Sequence, residues 1–524
     1  MKKLPITILI ASLLVTCLTS HIQAQMAERE QALTVAKNWI QLIIHKKGNW
    51  GGSPTAEIEE IQEFKRGDRV IGYFCQVKPK GHIIVSLRKE LAPVKAYSAT
   101  CDLNPQSNKG LVDLVKGKME RIVDQIEQRF GPVNQVRSED LERILEIDYR
   151  QSWDELERGD LELEMNYQEG DTLLTSNWHQ GDPYNPLCPT GDTGCTDCCP
   201  TDPWICNPTL PTLVGCVATA GAQIMKYWCW PPFGSQNHTY IWNGDDSCDG
   251  PVGGGQLSVI ITDSYDWRHM ANEYVWDAGQ GRWEDENGNP LTQAHLDAVE
   301  ELCYEVGVAV EMDYGVCGSS AFTYDMQGVY EDHYRYSTAC VRRDRNNYTA
   351  VDWFNRMKSQ FNANRPVHYR VEGHSIVGDG WQETGAGPLR EYHMNYGWAD
   401  NNTTWYTLDA LLFGGIDEEY MLENIYPACA LGSSLSGWYS PPTLPYRYFD
   451  RDATGNDAGF DAGHFLQFLP GITVTCTSTE GGKIEFRGWS ADNSYLFARG
   501  DVSRGVRIYS GHIYLYQNGS IKFH

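Results

Sequence analysis

The chain has 524 residues, 41% hydrophobic and 12% aromatic, enough for about three domains with packed cores. Its formal net charge of −26 excludes the clustered Lys and Arg that bind nucleic-acid phosphates and argues against docking on an anionic membrane. The acidity serves solubility and says little about the fold.

At the N-terminus, Lys2 and Lys3 precede an apolar stretch over residues 6–18, and small Ala24 stands before a polar run. The pattern predicts a cleavable signal peptide over residues 1–24 and a secreted, periplasmic or cell-surface destination. The apolar run is too short to span a bilayer, and no later stretch reaches the roughly 18 continuous apolar residues of a membrane span. Cys17 follows Leu14-Val15-Thr16, a poor lipoprotein site because Thr16 is larger than the small residue usual there.

Residues 25–168 read as one small α+β unit. Apolar residues recur at helical spacing over 32–40, and 73–77, 81–87 and 94–98 read as strands. A Glu- and Lys-rich, helix-favouring stretch runs from Leu111 to about residue 164, with no catalytic constellation in it. A linker-like segment, 167–171, follows.

Residues 169–430 are rich in Trp, Tyr, Gly and Cys. Residues 214–228 form a helical stretch with Val217, Ala220, Ile224 and Tyr227 or Trp228 on one face, and with Gln223 and Lys226 off it. Leu296, Val299, Leu302, Cys303 and Val306 mark a second amphipathic helix. Strands are expected at 367–371, 375–378, 391–395 and 405–408, so helices precede the sheet in an α+β domain. In residues 431–524, Gly488, Gly500, Gly511 and Gly519 punctuate short β-type runs such as 506–509 and 512–516. Asn518-Gly519 is a hairpin-turn signal, and the whole reads as a small all-β module.

There are 16 cysteines, and Cys17 in the leader leaves an odd number beyond it. Export favours disulfides, with at least one thiol left over if the others pair. Cys216, in Gly215-Cys216-Val217-Ala218-Thr219-Ala220, opens the first helix of the middle unit. There the positive end of the helix dipole favours the nucleophilic thiolate, and small neighbours leave room for a substrate. Taken alone, a Gly-Cys pair is more often a buried structural cysteine. A nucleophilic cysteine needs a base that only the fold brings near it. His374 lies roughly 160 residues downstream, close to the papain-like order of an early helix Cys and a later strand His. His393 is its rival.

The base needs a partner to hold its tautomer. An amide oxygen or a main-chain carbonyl of Asn395-Tyr396-Gly397-Trp398 serves, with Trp398 covering the contact or simply packing in the core. The oxyanion needs donors: the Cys216 N–H supplies one and Gln180, otherwise a surface residue in a turn, the other.

Together these residues resemble the streptopain family of bacterial cysteine peptidases. The similarity runs in order through Gln180-Gly181-Asp182-Pro183-Tyr184-Asn185, Gly215 to Ala220 with Gln223-Ile224-Met225-Lys226-Tyr227, Tyr265-Asp266-Trp267, Met312-Asp313-Tyr314-Gly315, Gly373-His374 and Asn395-Tyr396-Gly397-Trp398. The resemblance implies a papain-like α+β domain over 169–430, preceded by an α+β inhibitory propeptide over 25–168 and followed by the β module. It implies a Cys–His dyad of Cys216 and His374, with Gln180 as oxyanion donor, Trp398 as a shield and His393 non-catalytic. It further implies a zymogen with endopeptidase activity on protein or peptide substrates, often with an apolar side chain two positions before the cleaved bond. The propeptide is then the inhibitor, and no cofactor or metal is called for. Tyr396 and Ala399 depart from the family's usual Trp and Gly.

Two other readings use the same residues: an amidase acting on cell-wall peptides or another amide, and a non-catalytic binding protein on a peptidase scaffold. The β module is outside the resemblance and is a candidate sugar or cell-surface binder. Cys188, Cys195, Cys198, Cys199 and Cys206 favour disulfides over zinc in an exported chain. Asp450, Asp452, Thr454, Gly455 and Asp461 have the spacing of a calcium loop, but position 12 is Asp and no helices flank it, so an acidic turn is expected.

Overall fold

Four antiparallel strands of the N-terminal unit continue without a break into the sheet of the middle unit. In a computed structural model, the described residues are 25–168, 172–191, 210–228, 230–231, 233–245, 253–399, 403–407 and 419–426, with the backbone of strands between 467 and 523. The leader, Cys195, Cys198, Cys199, Cys206, the acidic turn at 450–461 and Asn518-Gly519 lie outside them.

Glu57–Arg66, Arg69–Lys78, His82–Ser86 and Val94–Ser98 form a meander. Val94–Ser98 then pairs with Thr403–Thr407, with Tyr97 opposite Trp405 and Ala96 opposite Tyr406. The sheet continues through Leu389–Asn395, His374–Thr384, Val367–Val371, Tyr420–Glu423 and Val341–Asp344. Met165–Tyr167 adds at Gln382–Thr384 to make 11 strands, so the linker-like segment begins as a strand.

Every residue of His82–Ser86 and Val94–Ser98 is buried, because both faces of these strands are covered. Ile83, Val85, Val94 and Tyr97 pack with Trp39 and Trp153 on one side. Ile84 and Ala96 pack with Val115 and Met119 on the other. The helix Arg29–Lys47 is closed by a Glu28–Gln31 capping box and by Gly48, with His45, Lys46 and Lys47 in its last turn, the charge sign that the helix dipole favours there. The charged stretch after Leu111 is not one helix. It divides into Gly110–Phe130, Ser138–Leu141 and Arg150–Arg158, broken where Gly131-Pro132 cannot continue a helix.

In the middle unit, Cys216–Trp228 lies between the helix Gln293–Ala309 and the strand His374–Thr384. Val217 through Met225 are all buried, as expected of a helix covered on every side. Gln223, expected off the apolar face, is therefore fully buried. Its Oε1 accepts from the N–H of Trp178 at 3.1 Å and from Asn395 Nδ2 at 3.1 Å. An unsatisfied amide there would cost about 1–3 kcal/mol.

The C-terminal strands are Gln467–Phe468, Thr473–Ser478, Gly482–Ser490, Tyr495–Val502, Ile508–Leu515 and Ile521–Phe523. Two runs separated at Gly511 are expected from sequence, but one strand crosses that residue, which pairs with Cys476. Glycine keeps its N–H and, unlike proline, does not interrupt a ladder. Among the described residues, no helix is long and apolar enough to cross a membrane.

Candidate active site

Cys216 is the first residue of its helix, and Gly215 before it has φ of 89°. A side chain at Gly215 would be strained by that conformation and would meet Met312 at 2.6 Å. Two hydrogen bonds seat this approach: the N–H of Val214 donates to the Gln180 carbonyl at 3.0 Å, and the N–H of Leu213 to the Gly315 carbonyl at 3.1 Å. Ser319 Oγ donates to the Leu213 carbonyl at 2.6 Å. Gln180, half-buried, is thus tied to the entry of the Cys216 helix.

The Cys216 thiol faces the main-chain N–H groups of Ser375, Val217 and Cys216 itself, with Arg370 nearby. These favour the thiolate, but burial is the largest influence and pushes the thiol above its ordinary value. Among the described residues, no hydrogen bond joins Sγ to His374; the group reaching the thiol from that strand is its neighbour Ser375.

His374 opens its strand after the hairpin in which Val371 pairs with His374, and Gly373 in that turn has φ of 69°. The imidazole is 6% exposed. Its Nε2 lies 2.7 Å from the Tyr396 carbonyl, and its ring stacks on Trp398 at 4.0 Å and 13°. A carbonyl only accepts, so Nε2 carries the hydrogen and Nδ1 of the neutral ring is an acceptor. Burial lowers the group to about 4 despite that carbonyl, and Arg370 adds in the same direction. Burial thus disfavours the charged form of each group.

Asn395 does not touch the imidazole. Its Nδ2 donates to the Ser176 carbonyl at 3.0 Å and its Oδ1 accepts from the N–H of Gly397 at 3.1 Å. It pins the turn that carries the Tyr396 carbonyl and Trp398. His393 stands elsewhere, with Nδ1 at 2.6 Å from Asp379 Oδ1. It lines a cavity with Tyr97 and Cys101 of the N-terminal unit.

That unit also covers the His374 corner. Arg66, Asp113, Gly117 and Lys118 share a cavity of about 540 Å³ with Glu372, Gly373, His374 and Trp398. Arg121 pairs with Glu372, and Lys118 with partly buried Glu419, which also accepts from Tyr369 Oη at 3.1 Å. Burial would raise the Glu419 carboxyl, but Lys118 and Tyr369 outweigh it and hold it below the usual range.

Residues around the site that carry no sequence signal of their own are Ser375, His368, Thr323, Tyr330 and Arg370. Of the buried partners of Ser375, His368 meets it through strand register, and Thr323 reaches it from the helical turn Thr323–Asp325. On another part of the middle unit, the carboxylates of Asp263, Glu301 and Glu305 converge within 4.8 Å. Burial lifts Glu301 to about 7 and Glu305 to about 8, so protonation relieves their repulsion. Cys188 and Cys303 are buried free thiols among the described residues.

Residues 178–406 match the family model described as Peptidase C10 family, and residues 24–122 match that of the Spi protease inhibitor. Streptopain of Streptococcus pyogenes is 26% identical over 371 residues, covering 69% of this chain and 80% of that protein. The thiol protease/hemagglutinin PrtT of Porphyromonas gingivalis is 23% identical over 261 residues, covering 48% of this chain and 25% of that protein. The structure of a Prevotella intermedia prointerpain A fragment superimposes with a TM-score of 0.50 at 21% identity, covering 70% of this chain and 98% of that one, a likeness of fold.

Proposed function

Because the chain belongs to the streptopain, or peptidase C10, family of cysteine endopeptidases, we propose that it is exported as a latent precursor whose dyad is Cys216 and His374. In this reading residues 1–24 are the signal peptide, 25–168 the inhibitory propeptide, 169–430 the peptidase domain and 431–524 an added β module.

Nδ1 of His374 takes the proton from Sγ, and the thiolate attacks a peptide carbonyl. The Cys216 N–H and the Gln180 side chain hold the oxyanion. The imidazolium returns its proton to the leaving amine, and a water activated by Nδ1 then hydrolyses the thioester. Trp398 keeps water from the Nε2–carbonyl bond, and Asn395 holds the turn that supplies that carbonyl.

The observation that carries this reading is a thiol facing three main-chain N–H groups, one of them from the residue after an imidazole whose Nδ1 is an acceptor. Latency has a physical cause in the same site. With the N-terminal unit beside it the imidazole is buried, and its surroundings raise the half-buried thiol, so the charged thiolate–imidazolium pair is disfavoured. Removing that unit readmits water and lowers the cost of the ion pair.

N-terminal sequencing and casein digestion, run on the parent and on Cys216→Ser, test the proposal. The parent should lose its N-terminal unit near residues 168–171 and clear casein, while Cys216→Ser keeps the unit and leaves casein intact. Equal processing and digestion by the variant would sink the assignment.

A further inference from the structure

Ser375 is held by a buried chain of polar groups that the reaction does not use directly. Thr323 Oγ1 donates to Ser375 Oγ at 3.1 Å. Ser375 Oγ lies 2.7 Å from His368 Nε2, and His368 Nδ1 lies 3.1 Å from Tyr330 Oη. Tyr330 and His368 are fully buried, and Ser375 and Thr323 are 1% exposed. Four polar side chains from four elements thus meet in a region closed to water.

The register explains why they meet. Arg370 pairs with Ser375, so His368, two residues away, has its side chain on the same sheet face as Ser375. Burial drives His368 down to about 3, so it is a neutral ring with one N–H donor and one acceptor nitrogen. A neutral ring fits two hydroxyl partners, which donate or accept as either tautomer requires. A buried histidine with satisfied nitrogens is usually only structural. What sets this one apart is where its chain ends: the residue it grips presents its main-chain N–H to Cys216 and directly follows His374.

We propose that His368 is a positioning residue: through Ser375 Oγ, with Thr323 and Tyr330 as end supports, it fixes the start of the strand that carries His374 against the helix that begins at Cys216. This deepens the dyad reading and rests on it. Loosening the chain lets the His374 imidazole drift from its place beside the Cys216 helix, so the thiolate loses its imidazolium partner while the substrate groove is unchanged. The charged group that bears on the thiol is Arg370 on the paired strand; the start of its own helix and Ser375 contribute only main-chain N–H groups.

The test uses the full chain, matured by adding parent enzyme in trans, as parent, His368→Phe, Ser375→Ala, their double variant and His368→Gln. Casein cleavage by the parent is the check on the dyad reading itself; if it is absent, that reading fails first and separately. The readouts are kcat and KM on a peptide and the pH profile of iodoacetamide alkylation. His368→Phe and Ser375→Ala should each lower kcat about tenfold with KM unchanged, and the double variant should be no worse than either, as expected of residues acting as one unit. The alkylation midpoint should rise by about one pH unit in each. His368→Gln, with an amide that both donates and accepts, should recover most of the rate. Ser375→Ala deletes one oxygen and keeps the test readable if His368→Phe does not fold. Variants that fold, melt earlier and alkylate with the parent's pH profile would overturn the proposal and leave His368 a core residue.

Discussion

The two histidines on neighbouring strands of the central sheet stand in opposite chemical settings. His393 has a carboxylate, Asp379, on its Nδ1 at 2.6 Å, an arrangement that often marks a catalytic base. His374 has only a carbonyl and an indole. Yet the residue after His374 touches the helix-start thiol, whereas His393 faces the cavity shared with Tyr97 and Cys101. On the proposed dyad, a carboxylate partner is a poor guide to catalysis and adjacency to the thiol the better one. The N-terminal unit stands beside both corners: the helix Gly110–Phe130 lines a cavity with His374, and Tyr97 and Ser98 line one with His393.

Exchanging the two histidines for asparagine is the sharpest way to break this contrast. His374→Asn should lower kcat/KM about 10²–10⁴-fold, the usual worth of a positioned base. His393→Asn should change it by less than about threefold, since it touches no reacting group. Comparable losses at both positions would erase the distinction.

The seal over the His374 corner can be opened at one ion pair. Lys118→Met takes the paired cation from partly buried Glu419 and leaves it Tyr369 Oη and the nearby Arg345 charge, a loss of about 1–3 kcal/mol. The precursor should therefore melt earlier and process itself faster, with no change in the activity of matured enzyme. An unchanged processing rate would mean that this helix does not hold the seal.

The seal over the His393 corner should respond to pH. Glu391 is fully buried, with Oε2 accepting from Gln382 Nε2 at 2.6 Å, and the same Nε2 also donates to Tyr97 Oη at 2.9 Å. Burial raises Glu391 from 4.5 to about 8. The folded state therefore holds the proton more tightly than the unfolded one. The stability it contributes is complete below the unfolded value and is lost as pH climbs through the folded one. Urea unfolding of the Cys216→Ser precursor should show stability falling between about pH 5 and pH 8, and Glu391→Gln should flatten that slope. Parallel slopes for the two proteins would assign the pH dependence to other groups.

Much of the fold was legible because its signals are local. Gly215 before Cys216, the capped helix at Arg29–Lys47 and the β-type runs of the sheet are each read within a few residues. The long charged stretch after Leu111 was read too coarsely, since composition favours helix without showing where Gly131-Pro132 ends it. Gln223 was placed off the apolar face because an amphipathic pattern assumes one wet side. This helix is buried from Val217 through Met225, so its amide became a buried tie between Trp178 and Asn395.

By itself the sequence determined the elements, the α+β class and the residues with the chemistry of a thiol peptidase, because helix starts, turns and alternation depend on neighbours in the chain. Only the tertiary structure decided which nitrogen of His374 is open, that the Tyr396 carbonyl and not the Asn395 amide orients it, and that His368 reaches Ser375. It also decided that the two units share one sheet through Tyr97 and Trp405. Those facts depend on strand register and burial between residues far apart in the chain, where no local pattern records the partner.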